Sequence, residues 1–284
     1  MNKTLKDVIS LWNNEKIKSP QKTLCKILSV KNKKSFEIYY FNLDAVLSLD
    51  DFLYLEDVLK RLKMDEPLSK ILNRGSFFGR DFKINEHVLD PRADTEVLIE
   101  ELLCLFDAAS PLQFLDLGTG SGCIIISLLL EFYQSFGVAV DLSDKALMIA
   151  KENATTYNVL KRLDFFKSDW FSDLPKKYLN QKFDVIISNP PYIKKSFPLN
   201  KNVLDFDPSM ALFSGDDGLD DYRKIFKNLS FYLKEDGFFL GEIGFDQTES
   251  ILDLLKEHPT LKFIKFVKDL NAINRVLVIQ KKAL

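Results

Sequence analysis

Phe114-Leu115-Asp116-Leu117-Gly118-Thr119-Gly120-Ser121-Gly122 is the stretch whose reading decides the fold. Its first four residues suit a strand buried on both faces, and its glycines suit a turn whose backbone can approach a ligand closely. A helix over 122–134 then begins where its free N–H groups can meet a carboxylate or a phosphate. The strand itself spans 112–117, and similar apolar runs read as strands at 138–141, 163–169, 183–189 and 237–243, with two closing strands at 262–269 and 274–280. Helices fit between them: one capped by Asp94 through about Phe106, one capped by Asp144, one over 219–234 and one over 247–257. Strand and helix in alternation imply a mainly parallel sheet with helices on both faces, an α/β fold.

Upstream of this region the pattern changes. Leu5, Val8, Ile9 and Trp12 recur at helical spacing, Ser19-Pro20 reads as a helix start, and Leu24, Ile27 and Leu28 form an apolar stripe. A third helix starts near Ser48 to Asp51 with acidic residues first and Lys60, Arg61 and Lys63 last, as the helix dipole favours. Residues 1–75 therefore read as a small helical domain, 76–89 as a β-hairpin linker turning at Gly79-Arg80-Asp81, and 90–284 as the α/β domain.

Bulk properties narrow the class. The 284 residues are 46% hydrophobic and 28% charged, an ordinary globular balance. A net charge of −2 and a pI of about 5.9 lack the positive field that grips a phosphate backbone, so direct nucleic-acid binding is not expected. No apolar run approaches a membrane span or a signal peptide, and a cytoplasmic protein is expected. Cys25, Cys104 and Cys123 have no close pair, and His87 and His258 have no neighbour at metal-ligand spacing, so neither disulfide nor metal is expected.

Two ligand classes fit the glycine turn. A dinucleotide enzyme shows G-x-G-x-x-G there, whereas this chain has G-x-G-x-G preceded by Asp116, the form that S-adenosylmethionine enzymes use for the methionine part of their cofactor. Asp141, ending the second strand, can accept hydrogen bonds from ribose hydroxyls in either class. Ser168-Asp169-Trp170 closes the third strand and puts an acid and an aromatic beside the same crevice, suited to adenine.

Asn189-Pro190-Pro191-Tyr192 follows the fourth strand, about 70 residues after the glycine turn, where ligands sit in open parallel sheets. The Asn189 side-chain carbonyl and the Pro190 backbone carbonyl can each accept one hydrogen of a planar NH₂ group. The two prolines stiffen the loop that aims them, and Tyr192 offers an aromatic wall. An Asn-Pro turn that merely ends a strand is the bland alternative.

Together these residues resemble the release factor glutamine methyltransferases of the HemK/PrmC type. The likeness runs through Gly75-Ser76-Phe77-Phe78-Gly79, Pro91-Arg92 with Thr95-Glu96, the glycine loop, SDWF, NPPY, DPSMALFSGDDGLDDYR and DLNAINRV. The usual I-P-R-P-[DE]-T-E stretch has Asp90 and Ala93 at its first and fourth positions here, while Arg92 and Glu96 remain. The resemblance implies a seven-stranded Rossmann-like class I methyltransferase domain, its last strand antiparallel, behind a small N-terminal helical substrate-recognition domain. It implies S-adenosyl-L-methionine as cofactor, held by Asp116, Gly118, Thr119, Gly120, Ser121, Gly122, Asp141, Asp169, Trp170 and Asn189, and no metal. Asn189, Pro190, Pro191 and Tyr192 are the implied catalytic residues. The implied substrate is the Gly-Gly-Gln glutamine of peptide chain release factors, a protein partner. Another protein glutamine, such as one of a ribosomal protein, and a nucleic-acid adenine amino group are the alternatives.

Overall fold

Apolar spacing and helix caps organise the N-terminal residues as the sequence leads one to expect. The computed structural model describes residues 3–15 and 17–283, with backbone alone at 201 and 202, and divides the chain into the units Met1–Leu72 and Asn73–Leu284. In the first unit, helix Leu5–Asn14 opens with a capping box between Thr4 and Asp7. Helix Leu49–Lys63 opens with the Ser48 hydroxyl accepting from the Asp51 amide at 3.0 Å. Helix Pro20–Asn32 starts at Ser19-Pro20 as expected, with its proline in the first turn, although Ser19 is left-handed and its side chain makes no cap bond. Leu5, Val8, Trp12, Leu24, Ile27, Leu28, Leu55 and Val58 form the core of this unit.

The second unit begins with a hairpin of β1, Arg74–Phe77, and β2, Arg80–Lys83. The turn is Phe78-Gly79 rather than Gly79 to Asp81. Pairing of Phe77 with Arg80 leaves two residues for the turn, both with positive φ, the geometry that matches strand twist. The hairpin groups with the residues of this unit. The buried Asn153 side chain accepts from the Lys83 amide at 2.8 Å and donates to the Lys83 carbonyl at 2.9 Å and the Ser121 carbonyl at 2.8 Å. One carboxamide thus ties β2 to the glycine loop.

Seven further strands form one sheet: β3 Gln113–Leu117, β4 Phe136–Asp141, β5 Leu163–Lys167, β6 Phe183–Ser188, β7 Leu233–Glu242, β8 Leu261–Lys268 and β9 Asn274–Lys281. Their order is β5-β4-β3-β6-β7-β9-β8, and β9 runs antiparallel to both its neighbours while the other pairs are parallel. Alternate side chains of the central strands enter separate cores. Phe114, Val185 and Ile187 face one core, and Leu115, Leu117 and Ile186 the other. Both faces are covered, which explains the near-continuous apolar runs. The chain steps outward from β3 to β5, then returns to place β6 on the other side of β3. The carboxyl ends of β3 and β6 therefore flank a switch point, where open α/β sheets bind ligands.

Helix boundaries differ from expectation at two N-terminal caps and two C-terminal ends. Residues Ala93–Glu96 form a 3-10 turn ahead of helix Val97–Leu105, so Asp94 is not its cap. Ser143, not Asp144, caps helix Asp144–Thr156, its hydroxyl accepting from the Ala146 amide. Helix Cys123–Glu131 and helix Asp220–Tyr232 each end two or three residues early. Among the described residues no helix is long and apolar enough to cross a membrane.

Candidate active site

The glycine loop is shaped by backbone hydrogen bonds to the neighbouring strand. The amides of Gly118 and Thr119 both donate to the Val140 carbonyl at 2.9 Å, and Gly118, Gly120 and Gly122 all have positive φ. Glycine adopts that conformation without penalty. A Cβ on Gly122 would lie 2.9 Å from Ile126 Cδ1 and 3.2 Å from Ala150 Cβ, so this glycine lets the loop pack against two helices. Asp141 closes the arrangement. Its carboxylate accepts from the Gly120 amide at 2.9 Å and the Ser143 amide at 2.8 Å, and burial holds its pKa above the usual carboxylate range. Each oxygen keeps a second lone pair for a hydroxyl donor.

Asp116 lies beneath this loop rather than in the cleft wall. It is fully buried, accepts from the Thr119 hydroxyl at 2.6 Å through Oδ2, and leaves Oδ1 without a partner. Burial, with the nearby Asp141 charge adding to it, pushes its pKa up to about 7. The residue supports the loop from below. Gly122 likewise packs behind the loop.

A second arrangement stands at the end of β6. Asn189 Nδ2 donates to Thr95 Oγ1 at 3.1 Å, and the Thr95 hydroxyl donates to Glu242 Oε2 at 2.5 Å. The Tyr192 hydroxyl donates to Glu242 Oε1 at 3.1 Å, and the buried Tyr222 hydroxyl donates to the Glu242 backbone carbonyl. Glu242 is 2% exposed, and burial raises its pKa against the opposing pull of Thr95, Arg275 and Tyr192. Gln247 braces the far side of the corner, its Nε2 donating to the carbonyls of Tyr192 at 3.1 Å and Gly218 at 2.9 Å.

One cleft of about 330 Å³ joins the two arrangements, within the range of small-molecule sites. Gly118, Thr119, Gly120, Ser121, Asp141, Asp169, Trp170, Asn189 and Pro191 line it. Pro190 is buried, and Tyr192 opens onto an adjoining depression with Phe197 and Phe245 instead of walling the cleft. Trp170 has a φ of +53°, a conformation that strains a bulky residue by about 1–2 kcal/mol. The surroundings hold it there: Nε1 donates to Asp221 at 3.2 Å, and its ring lies 3.4 Å from where a Gly118 Cβ would be. Asp169 pairs with Lys224 at 3.5 Å. Arg92 crosses to Asp207 at 2.8 Å, and the Asp90 amide donates to the same carboxylate, so Asp90 and Ala93 leave that loop anchored.

The sequence did not mark Asn153, Glu242 or Gln247. The available signal was a carboxylate inside the apolar run of β7, where a charge needs partners. His87 lines the cleft, with its Nε2 3.3 Å from Glu86 Oε1. Among the described residues no group of His, Cys, Asp and Glu is placed to hold a metal ion.

The cleft fits S-adenosylmethionine on four counts. Gly118 and Gly120 keep its floor free of side chains, and a Cβ on Gly120 would meet nothing within 4 Å. Asp141 offers acceptors at the end of β4, Trp170 and Leu142 supply apolar surface, and a helix N-terminus faces the loop.

Comparison with known proteins agrees with this geometry. A family model described as a methyltransferase domain matches residues 109–261. The release factor glutamine methyltransferase of Streptococcus pneumoniae is 34% identical over 253 residues, which cover 88% of each chain. A bifunctional methyltransferase of Rickettsia typhi is 36% identical over 273 residues, covering 89% of this chain and 52% of that protein, so this chain spans about half the length of such relatives. A methyltransferase structure from Pyrococcus furiosus shares the fold, with a TM-score of 0.52 at 17% identity over 80% of this chain and 99% of that one.

Proposed function

The chain belongs to the release factor glutamine methyltransferase family, and from that membership we propose that it methylates the side-chain amide nitrogen, N5, of the Gly-Gly-Gln glutamine in peptide chain release factors. The observation that carries this reading is the Asn189 carboxamide at the cleft, whose Nδ2 is committed to Thr95. Its Oδ1 is thereby left to accept from an incoming N–H.

A carboxamide nitrogen is a weak nucleophile, because its lone pair is delocalised into the carbonyl. Asn189 Oδ1 and the Pro190 carbonyl, each accepting one N–H, hold the amide so that its lone pair points at the methyl carbon. Such placement supplies up to ~7–11 kcal/mol in favourable cases. S-adenosylmethionine, when bound, supplies that methyl on a positively charged sulfur. Gly118 to Ser121 would cradle the carboxylate end of the cofactor, Asp141 would take the ribose hydroxyls, and Asp169 and Trp170 would take the adenine. Methyl transfer at that nitrogen would release one of its two protons as H⁺ and leave the substrate amide neutral.

In this reading the helical unit recognises the release factor. It carries exposed apolar side chains, Phe41 at 80% and Leu49 at 74% among them. Translation termination also sets the protein in the cytoplasm. Incubating purified protein with cofactor and a release factor should add one methyl to the tryptic peptide that holds the glutamine. An unmodified peptide sinks the substrate assignment, while label on a ribosomal protein or on DNA adenine in parallel reactions identifies the alternative.

A further inference from the structure

Hydrogen-bond polarity at Asn189 is imposed from outside the loop that carries it. A hydroxyl has one proton to give, and an ionised carboxylate only accepts. Thr95 gives its proton to Glu242 Oε2 at 2.5 Å, so its oxygen is free only as an acceptor, and the 3.1 Å contact with Asn189 requires the NH₂ end of the carboxamide. Glu242 accepts on its other oxygen from the Tyr192 hydroxyl at 3.1 Å; burial raises its pKa, and the two hydroxyls and Arg275 oppose that pull by favouring the charged, accepting form. Nothing in the Asn189 side chain itself prefers one end over the other. Turned over, it would present NH₂ to the cleft and repel a substrate amide.

We infer that Thr95 and Glu242 are positioning residues that fix which end of the Asn189 carboxamide faces the substrate, with Tyr192 locking Glu242 in place. This inference rests on the methyl-transfer reading above. The same pair explains a carboxylate buried at the end of β7, which sequence alone left unassigned, and a tyrosine in the tetrapeptide whose hydroxyl meets that carboxylate instead of the cleft. Thr95 and Glu242 touch no reacting atom in this arrangement. Their effect passes through Asn189.

Three variants and one spectroscopic measurement test it. Thr95→Val keeps the shape and removes the hydroxyl; its kcat should fall by about 10²-fold, the loss typical for one misplaced polar group at a reacting centre. Cofactor binding, read by thermal shift with S-adenosylhomocysteine, should stay as in the unsubstituted protein. Thr95→Ser restores the hydroxyl and should recover kcat to within a few-fold. Glu242→Gln introduces a donor among donors and should resemble Thr95→Val. A purely structural role predicts the opposite order, with valine tolerated and serine, which leaves a gap, impaired. Full turnover in Thr95→Val, or equal losses in valine and serine, overturns the inference. Independently of any substrate, one Asn189 side-chain NH resonance of ¹⁵N-labelled protein should exchange slowly with water and lose that protection in Thr95→Val. If both protons exchange freely in the unsubstituted protein, the orientation is wrong even where methylation is observed. If the resonance is protected but no release factor is methylated, the substrate reading fails while the positioning stands.

Discussion

The glycine loop and the asparagine corner sit at the ends of adjacent strands, β3 and β6, yet they are held by different means. The loop is shaped largely from the adjoining end of β4: glycine φ values, two amides on the Val140 carbonyl, and the carboxylate of the next residue, Asp141, on the Gly120 amide. The corner is shaped by partners 94, 50 and 55 residues away in Thr95, Glu242 and Gln247. A backbone cradle is set by local conformational freedom, whereas a directed side chain needs an external frame. The difference suits the tasks proposed for them, since a loop of amides would bind by surrounding its ligand and a lone acceptor only when aimed.

The largest effect should come from separating the two. Asn189→Ala should lower kcat by about 10²–10³-fold. Stability should move by only ~1 kcal/mol, the net worth of one hydrogen bond. Single-turnover methyl transfer alongside denaturant unfolding checks both. A kcat unchanged by the substitution would erase the distinction between an aimed corner and a passive turn.

The next effect concerns the foundation of the loop. Asp116 has a folded pKa of about 7 against an ordinary 3.8, so the stability it allows is full below about pH 4 and is lost as pH rises through 7. That difference corresponds to up to ~4 kcal/mol. Cofactor-free protein should therefore lose melting temperature between pH 4 and 7, and Asp116→Asn should flatten that slope. A variant whose profile parallels the parent would show that Asp116 ionises without strain.

The smallest effect is a control on the glycine argument. Ala272, exposed at the turn between β8 and β9, has a φ of +62°, the conformation that the loop reserves for glycine. Ala272→Gly should relieve the strain and, after the added freedom of the unfolded chain, raise stability by ~0.5–1 kcal/mol. A loss of stability in urea unfolding would mean that left-handed strain is too small here to explain the choice of glycine at 118, 120 and 122.

Much of the sheet was legible because burial on two faces leaves a simple trace. Residues 112–117 and 183–189 were expected as strands, and β3 and β6 occupy 113–117 and 183–188. Caps and turns were less legible, since neighbouring residues compete for one role. Ser143 outdid Asp144 as a cap, and strand register forced Phe78 into a left-handed turn that no local preference favours. In the site, residues on the loops themselves could be read, but Asp116 and Gly122 proved to support the loop from behind, and Tyr192 turned inward.

The sequence by itself determined the alternation that builds the sheet, the glycine turn at β3 and the position of the Asn-Pro tetrapeptide after β6, because each is written in residues adjacent in the chain. Only the tertiary structure decided which end of the Asn189 carboxamide meets the cleft. The two ends of that group differ in hydrogen-bonding sense and hardly in shape, so the choice falls to donors and acceptors brought from distant segments, Thr95 ahead of helix Val97–Leu105 and Glu242 at the end of β7.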